Sequence, residues 1–267
     1  MNVLDLSVCI VSWNTREYLR QCLGSIYNST NRMDYEVLVV DNGSTDGSVE
    51  MVRREFPAVR LFVNSRNEGF AAGANRAIRE SIGRHILLLN SDTVVLPYAF
   101  QEMVDFLDAD PEVGIVGCKL LNVDGTVQLS HRRFPTLTWN YARTIAVSKL
   151  FHHVRPIRGL LQPVLHGYQP DGPRAVDWVS GACLMSRREV FDRIGYLDET
   201  FFMFCEEIDW CRRATVAGWK VYYLPSARVI HYGGQSSKRQ RLRIYWALAR
   251  STYHYFRKIS RAGDPST

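Results

Sequence analysis

No stretch of this 267-residue chain approaches the roughly 20 uninterrupted apolar residues that a membrane-spanning helix requires. The N-terminus has neither the basic flank nor the small-residue cleavage site of a secretory leader, so a cytoplasmic location is expected. The six cysteines (Cys9, Cys22, Cys118, Cys183, Cys205, Cys211) include no Cys-x-x-Cys pair, which removes the usual zinc and redox spacings. Scattered among apolar neighbours, they read as buried, reduced thiols. A Gly-x-Gly-x-x-Gly is missing after the first apolar strand, and a Gly-x-x-x-x-Gly-Lys is missing altogether. Neither a dinucleotide-type Rossmann site nor a P-loop is indicated, so any phosphate must be held another way. Zinc-finger, helix-turn-helix and RNA-recognition signatures are also lacking, and nucleic acid is not an expected partner.

What is present is enough apolar material, 46% of residues, for one large core or two modest ones. Ser7–Ser12, Glu36–Asp41, Val59–Val63, Arg84–Asn90 and Val113–Cys118 read as strands. Helical patterns fill the intervals at Arg16–Tyr27, Ser44–Phe56, Gly69–Ile82 and Tyr98–Ala109. Such alternation implies right-handed crossovers and an α/β fold with a mostly parallel sheet. The stretch from Asn122 to Ala175 carries Gly, Pro and His without a clear period and reads as a long excursion or lid. The expected organisation is one domain over residues 1–235, with a nucleotide-binding half at 1–120 and an acceptor half at 121–235. Residues 236–267 follow as a basic tail.

Chemistry gathers where apolar runs stop. Ile86-Leu-Leu-Leu-Asn-Ser-Asp92 reads as a strand covered on both faces that ends on groups able to ligate a cation. A Mg²⁺ ion binds through one or two carboxylates plus substrate phosphates, which suits Asp92. Val37-Leu-Val-Val runs likewise into Asp41, whose carboxylate can accept from a base or ribose, or can simply end the strand ahead of a cap-forming Asn-Gly-Ser. A third cluster is Phe201-Phe-Met-Phe-Cys-Glu-Glu-Ile-Asp209, three carboxylates in four positions behind an aromatic run. Apolar surroundings disfavour each added negative charge, so one carboxylate is a candidate general base with a raised pKa. Arg212, Arg213 and a helix N-terminus offer a purely structural account of the same acids. His231 follows in Val-Ile-His-Tyr-Gly-Gly.

The tail accounts for the charge. Residues 236–267 hold eight basic side chains and one acid, a net +7 that leaves −1 for the rest of a chain carrying +6. Leu242, Tyr245, Trp246, Ala249, Tyr253 and Phe256 recur at three- and four-residue steps, so 238–259 reads as a basic amphipathic helix with an aromatic stripe. The stripe can meet an anionic membrane surface, pack on the main domain, or join two copies of the chain through Tyr245, Trp246 and Tyr253.

The segments from Ser7 (Ser-Val-Cys-Ile-Val-Ser-Trp-Asn), Val39 (Val-Val-Asp-Asn-Gly-Ser-Thr-Asp-Gly), Asn67 (Asn-Glu-Gly-Phe-Ala-Ala-Gly-Ala-Asn) and Leu89 (Leu-Asn-Ser-Asp) resemble the family 2 inverting glycosyltransferases, bacterial rhamnosyltransferases above all. The resemblance runs on through Trp178-Val-Ser-Gly-Ala-Cys and Glu-Glu-Ile-Asp-Trp-Cys-Arg to His231, covering roughly residues 6–235. It implies a GT-A fold, a Rossmann-like sheet binding a nucleoside-diphosphate sugar at its switch point. On that resemblance Ser12 and Asp41 contact base and ribose, and Asn67 lies in the loop closing the nucleotide pocket. Asn90-Ser91-Asp92 takes the Asp-x-Asp position, with Asp92 and His231 holding Mg²⁺ or Mn²⁺ on the diphosphate. Glu207 inherits the base, while Glu206, Asp209 and Trp178 fall to the acceptor side or to an orienting role. Two positions depart from the pattern: Asn90 removes a charge from Asp-x-Asp, and Glu207 stands where the family has Asp, one methylene longer.

The expected activity is therefore inverting transfer of a sugar, L-rhamnose from dTDP-rhamnose in the first instance, to a hydroxyl of a growing cell-surface glycan. Such glycans are built on a polyprenyl diphosphate, which would place the protein peripherally at the inner face of the plasma membrane. A UDP-sugar donor (galactofuranose or a hexosamine) and a non-catalytic nucleotide-sugar-binding protein are the alternatives. A phosphoryl transferase using Asp41 or Asp92 as nucleophile would need a nearby lysine that the sequence does not supply.

Overall fold

The computed structural model describes residues 4–29, 33–135, 170–234 and 241–261. The first half alternates as its pattern predicts: β1 (Leu6–Ser12), α1 (Arg16–Ser29), β2 (Tyr35–Asp41), α2 (Ser48–Glu55), β3 (Arg60–Val63), α3 (Phe70–Glu80) and β4 (His85–Asn90). There follow β5 (Thr93–Val95), α4 (Ala99–Ala109), β6 (Val113–Leu121) and the short β7 (Val127–Gln128) and β8 (His131–Arg132). Most of the expected excursion, residues 136–169, lies outside the described residues. Beyond it come β9 (Arg174–Ala175), β10 (Trp178–Val179), β11 (Cys183–Arg187), α5 (Arg188–Ile194), α6 (Glu206–Val216), β12 (Lys220–His231) and α7 (Arg241–Arg261).

The main sheet is ordered β3-β2-β1-β4-β11-β6-β12-β5. Its first four strands are parallel, and β12 runs parallel to β6. Four strands run against this direction: β11 between β4 and β6, β5 on the edge beside β12, and the short β7 on β6 and β9 on β12. β11 reaches the sheet without a crossover helix, from a turn at Ser180–Ala182 at the carboxyl end of β4, where Ala182 O accepts from Asn90 N at 3.0 Å. The turn is thereby fixed beside the strand ends where ligands bind in open α/β sheets.

The near-continuous apolar strands are explained by cover on both faces. Leu87 and Leu89 face one core with Leu19 and Leu23 of α1 and Phe100 and Met103 of α4. Ile86 and Leu88 face a second core with Ala74 and Ile78 of α3, Phe191 of α5 and Trp210 of α6. Strands of both halves share the one sheet. All six cysteines are buried and none is in a disulfide. Among the described residues no helix is long and apolar enough to cross a membrane.

Two expectations change. The helix read from Ser44 begins only at Ser48, because Gly43 (φ 74°) and Gly47 (φ 83°) turn the chain first. A Cβ on Gly43 would lie 2.9 Å from Arg66 Cα, so the turn packs backbone to backbone. The C-terminal helix also presents a different face to the domain than its aromatic stripe suggests. Tyr255 and Ile259 are buried with Phe201 and Cys205, and Phe256 is partly buried there. Ser251 Oγ donates to Met203 O at 2.8 Å, and Lys258 Nζ lies 2.8 Å from both Asp198 Oδ2 and Asp209 Oδ1. Burying Tyr255 and Ile259 contributes on the order of 3–5 kcal/mol. Trp246 and Tyr253 point into solvent; residues 238–240 of the expected helix lie outside the described residues.

Candidate active site

The carboxyl ends of β1, β2 and β4 lie together, with Ser12 opposite Asp41 and Asn90 opposite Val11, one residue short of Ser12. Ser12 Oγ shares a hydrogen bond of 3.1 Å with Thr15 Oγ1, which in turn lies 2.9 Å from Ser91 Oγ. This run of buried hydroxyls ties the loop after β1 to the loop after β4. Asp41 is buried; its Oδ1 accepts from the Ser44 amide at 2.8 Å, and its Oδ2 has no hydrogen-bond partner. A buried carboxylate oxygen left without a donor is costly, and a base N–H or ribose hydroxyl would satisfy it. Asn67 serves its own loop: its Oδ1 accepts from the Gly69 amide at 2.9 Å. Asn42 ties that loop to β2, donating to Gly69 O at 2.9 Å and accepting from Asn64 Nδ2 at 2.7 Å.

Asp92, His231 and Asn90 are brought together from β4 and the end of β12. His231 Nε2 lies 3.3 Å from Asp92 Oδ1 and 3.3 Å from Asn90 Nδ2. Gln128, on β7, fixes the imidazole: its Nε2 donates to His231 O at 2.6 Å, so the Oε1 that meets His231 Nδ1 at 3.0 Å must accept. Nδ1 therefore carries hydrogen. His231 Nε2 thus faces the Asp92 carboxylate with the Asn90 amide beside it, two groups between which a cation can be held. Among the described residues no three His, Cys, Asp or Glu side chains cluster to cage a metal. Asp92 and His231 fit a Mg²⁺ or Mn²⁺ that draws its remaining ligands from substrate phosphates and water, and Gln128 supplies the outer hydrogen bond that such histidines need.

α6 presents Glu206 and Glu207 in its first turn, after Phe204 and Cys205, both in left-handed backbone (φ 70° and 69°). Glu206 Oε2 and Glu207 Oε2 are buried without hydrogen-bond partners. Burial, and then the charge of Glu207, hold the Glu206 carboxyl well above the usual range. Glu207 is raised to about 7, chiefly by burial, against the pull of helix-start amides and the Arg132 guanidinium. One carboxyl is thus kept neutral while its neighbour is poised to take a proton near pH 7.

The turn at Ser180–Ala182 joins this pair to the metal candidates. Ala182 holds the Asn90 amide, and a Cβ on Gly181 would sit 3.6 Å from Glu207 Cβ. Trp178, paired with Arg132 across β10 and β8, lies in the same quarter, its indole donating to Arg133 O at 2.9 Å. The Arg132 guanidinium sits 5.9 Å from its ring centroid. Asp209 points elsewhere: Arg213 Nε reaches its Oδ2 at 2.9 Å and Lys258 its Oδ1. It ties α6 to α7, with a cationic partner on each of its oxygens. Gln128 and Arg132 were not singled out from the sequence; both lie in a stretch without clear period, and neither adjoins its partner in the chain.

A mostly parallel sheet of this order with helices on both faces is the GT-A fold of glycosyltransferases. The chain belongs to glycosyl transferase family 2, whose family model matches residues 7–168. It is 29% identical to an N-acetylglucosaminyl-diphospho-decaprenol L-rhamnosyltransferase of Mycobacterium tuberculosis over 93% of this chain and 82% of that one. It is 27% identical to the O-antigen biosynthesis protein RfbC of Myxococcus xanthus over 97% of this chain, though only 20% of that one. Among solved structures, the mannosyltransferase PcManGT of Pyrobaculum calidifontis, in complex with GDP-Man and Mn²⁺, shares the fold with a TM-score of 0.64 at 19% identity. That match covers 96% of this chain and 65% of the solved one. A UDP complex of S. aureus TarS 1-349 matches at 0.58 and 18% identity, over 85% and 60%.

Proposed function

We propose that the protein is a metal-dependent inverting hexosyltransferase that moves L-rhamnose from dTDP-rhamnose to a hydroxyl of a lipid-diphosphate-linked cell-surface glycan at the cytoplasmic face of the membrane. The observation that carries the chemistry is the joining, through Ser180–Ala182, of the Asp92–His231 pair to Glu207. The choice of sugar and acceptor follows the Mycobacterium relative, named for an L-rhamnosyl transfer to a decaprenol-linked acceptor. In the reaction Glu207 takes the acceptor's hydroxyl proton as the oxygen attacks the anomeric carbon on the face opposite the diphosphate, inverting it in one displacement. Glu206, held protonated, spares the base a second negative charge at its side. Asp41 offers its free oxygen to base or ribose with Ser12 paired beside it, and Ser91 adjoins the metal candidate Asp92. A divalent ion on Asp92 and His231, when bound, stabilises the charge developing on the departing nucleoside diphosphate; a solved neighbour that binds GDP-Man carries Mn²⁺.

Thermal-shift measurement against dTDP-rhamnose, UDP-galactofuranose and UDP-hexosamines, with and without Mn²⁺, tests the donor. The expected result is a Mn²⁺-dependent rise in Tm greatest for dTDP-rhamnose, since a ligand of the folded state stabilises by mass action. A larger shift with a UDP-sugar would reassign the donor, and no shift with any would refute the transferase reading.

A further inference from the structure

α7 has two faces, and only one is used by the fold. Its inner face grips the chain that leads into the candidate base. Ser251 binds Met203 O, Thr200 Oγ1 and His254 Nε2 are 2.7 Å apart, and Lys258 bridges Asp198 and Asp209. Its outer face carries Trp246, Arg250, Tyr253 and Arg257, at steps of four, three and four residues. These fall within roughly 60° of arc on an α-helix. All four are exposed, Trp246 at 77% and Tyr253 at 67%.

Large exposed aromatics alternating with arginines along a helix are unusual as a merely solvated surface. Tyr and Trp favour the boundary between apolar and wet surroundings. Residues 241–261 contain no Asp or Glu, and the segment 236–267 carries +7. A second copy of the chain would bring no Asp or Glu from its own α7 to pair with Arg250 and Arg257. An anionic bilayer meets both features, headgroups pairing with the arginines and the indole and phenol sinking to the acyl boundary.

We propose that the Trp246–Arg250–Tyr253–Arg257 face of α7 docks on an anionic lipid surface, so that the helix lies in the membrane interface while its inner face holds the Glu206–Glu207 segment beside the lipid-linked acceptor. The proposal deepens the transferase reading, on which it rests for the acceptor's being lipid-linked, and names the surface at which that acceptor is met. Because the inner face is structural, removing α7 would confound docking with folding, and substitutions confined to the outer face are the cleaner probe.

The test is co-sedimentation of the full chain with phosphatidylcholine vesicles, with and without phosphatidylglycerol. Wild type is expected to partition onto the anionic vesicles and to be released by salt. Arg250→Glu/Arg257→Glu should weaken partitioning by at least about thirty-fold, given the worth of two basic side chains at such a surface. Trp246→Ala/Tyr253→Ala should weaken it with both arginines intact. Both variants should keep the wild-type circular dichroism melt, and both should transfer sugar at the wild-type rate to a water-soluble short-prenyl diphosphate acceptor. Equal binding to neutral and anionic vesicles, or partitioning unaffected by the charge reversals, would overturn the proposal. So would a wild-type dimer in sedimentation velocity that the substitutions dissociate, which would assign the face to a second copy. Failure of all forms to transfer to the soluble acceptor would instead strike the transferase reading, leaving the vesicle result to stand by itself.

Discussion

Replacing Gln128 by Ala probes the metal reading at a residue that touches neither metal nor substrate. The substitution removes the Oε1 acceptor at His231 Nδ1 (3.0 Å) and the Nε2 donor to His231 O (2.6 Å). The ring is then free to change tautomer and to rotate away from Asp92. Loss of such an outer hydrogen bond typically weakens metal affinity 10–100-fold, or about 1.4–2.8 kcal/mol of binding energy. The hydrogen bonds themselves, including one from Nε2 to Asn122 Oδ1, contribute on the order of 1 kcal/mol each to stability, so the fold should survive. The assay is calorimetric titration of Mn²⁺ into the protein with dTDP bound, beside a thermal melt. Gln128→Glu keeps an acceptor for Nδ1 but sets an oxygen with no hydrogen to donate against His231 O and Asn122 Oδ1, so it should recover only part of the affinity. Undiminished Mn²⁺ affinity in a well-folded Gln128→Ala protein would refute the argument that this tautomer prepares a cation site.

Further outcomes follow from the same geometry. Glu207→Gln should reduce transfer by at least about a hundred-fold, within the range of general-base catalysis, while nucleotide-sugar binding by thermal shift stays intact; undiminished turnover would remove Glu207 from the role. Wild-type kcat should rise with pH through about 7, where Glu207 loses its proton. The stability trend has the opposite sign: with the folded pKa raised, the native state holds the extra proton between the unfolded carboxylate range and about 7, so stability falls as pH climbs through that window. Glu207→Gln should therefore raise the unfolding free energy at pH 8, by on the order of 3 kcal/mol at most and with a corresponding rise in Tm, and leave both nearly unchanged at pH 4. Asp41→Asn keeps the acceptor for the Ser44 amide but removes the free carboxylate oxygen, so nucleotide affinity should drop about ten-fold or more with little change in Tm. Lys258→Met should lower Tm while Lys258→Arg restores most of it, because Asp209 is buried and would be left with Arg213 alone.

Much of this site was legible because its chemistry sits where the apolar pattern breaks. Asp41 and Asp92 follow strands whose hydrophobic runs are continuous, and such runs mark both the buried sheet and the end at which a ligand sits. Glu206 and Glu207 were legible because adjacent acids after an aromatic run conflict with burial. Gln128 was not, since it meets His231 only through the strand pairing that brings β7 and β12 to β6. Nor did periodicity assign the faces of α7 correctly. Ser251, which the pattern did not mark, caps a carbonyl of the neighbouring loop, and Lys258 reaches two aspartates. Trp246 and Tyr253, whose stripe left a membrane, the main domain and a second copy open as partners, are exposed. Gly43 and Gly47 signalled a turn that helix-forming neighbours obscured. Periodicity sees one helix at a time, whereas the packing face depends on what the helix meets.

The central claim, a sugar transfer based on Glu207 and a cation at Asp92 and His231, is tested most directly by incorporation of radiolabel from dTDP-L-rhamnose into an N-acetylglucosaminyl-diphospho-prenol, extracted into the organic phase. The account predicts labelled lipid with wild-type protein and Mn²⁺, and none after chelation or with Glu207→Gln. Labelled lipid formed equally well by Glu207→Gln, or in the presence of a chelator, would contradict it.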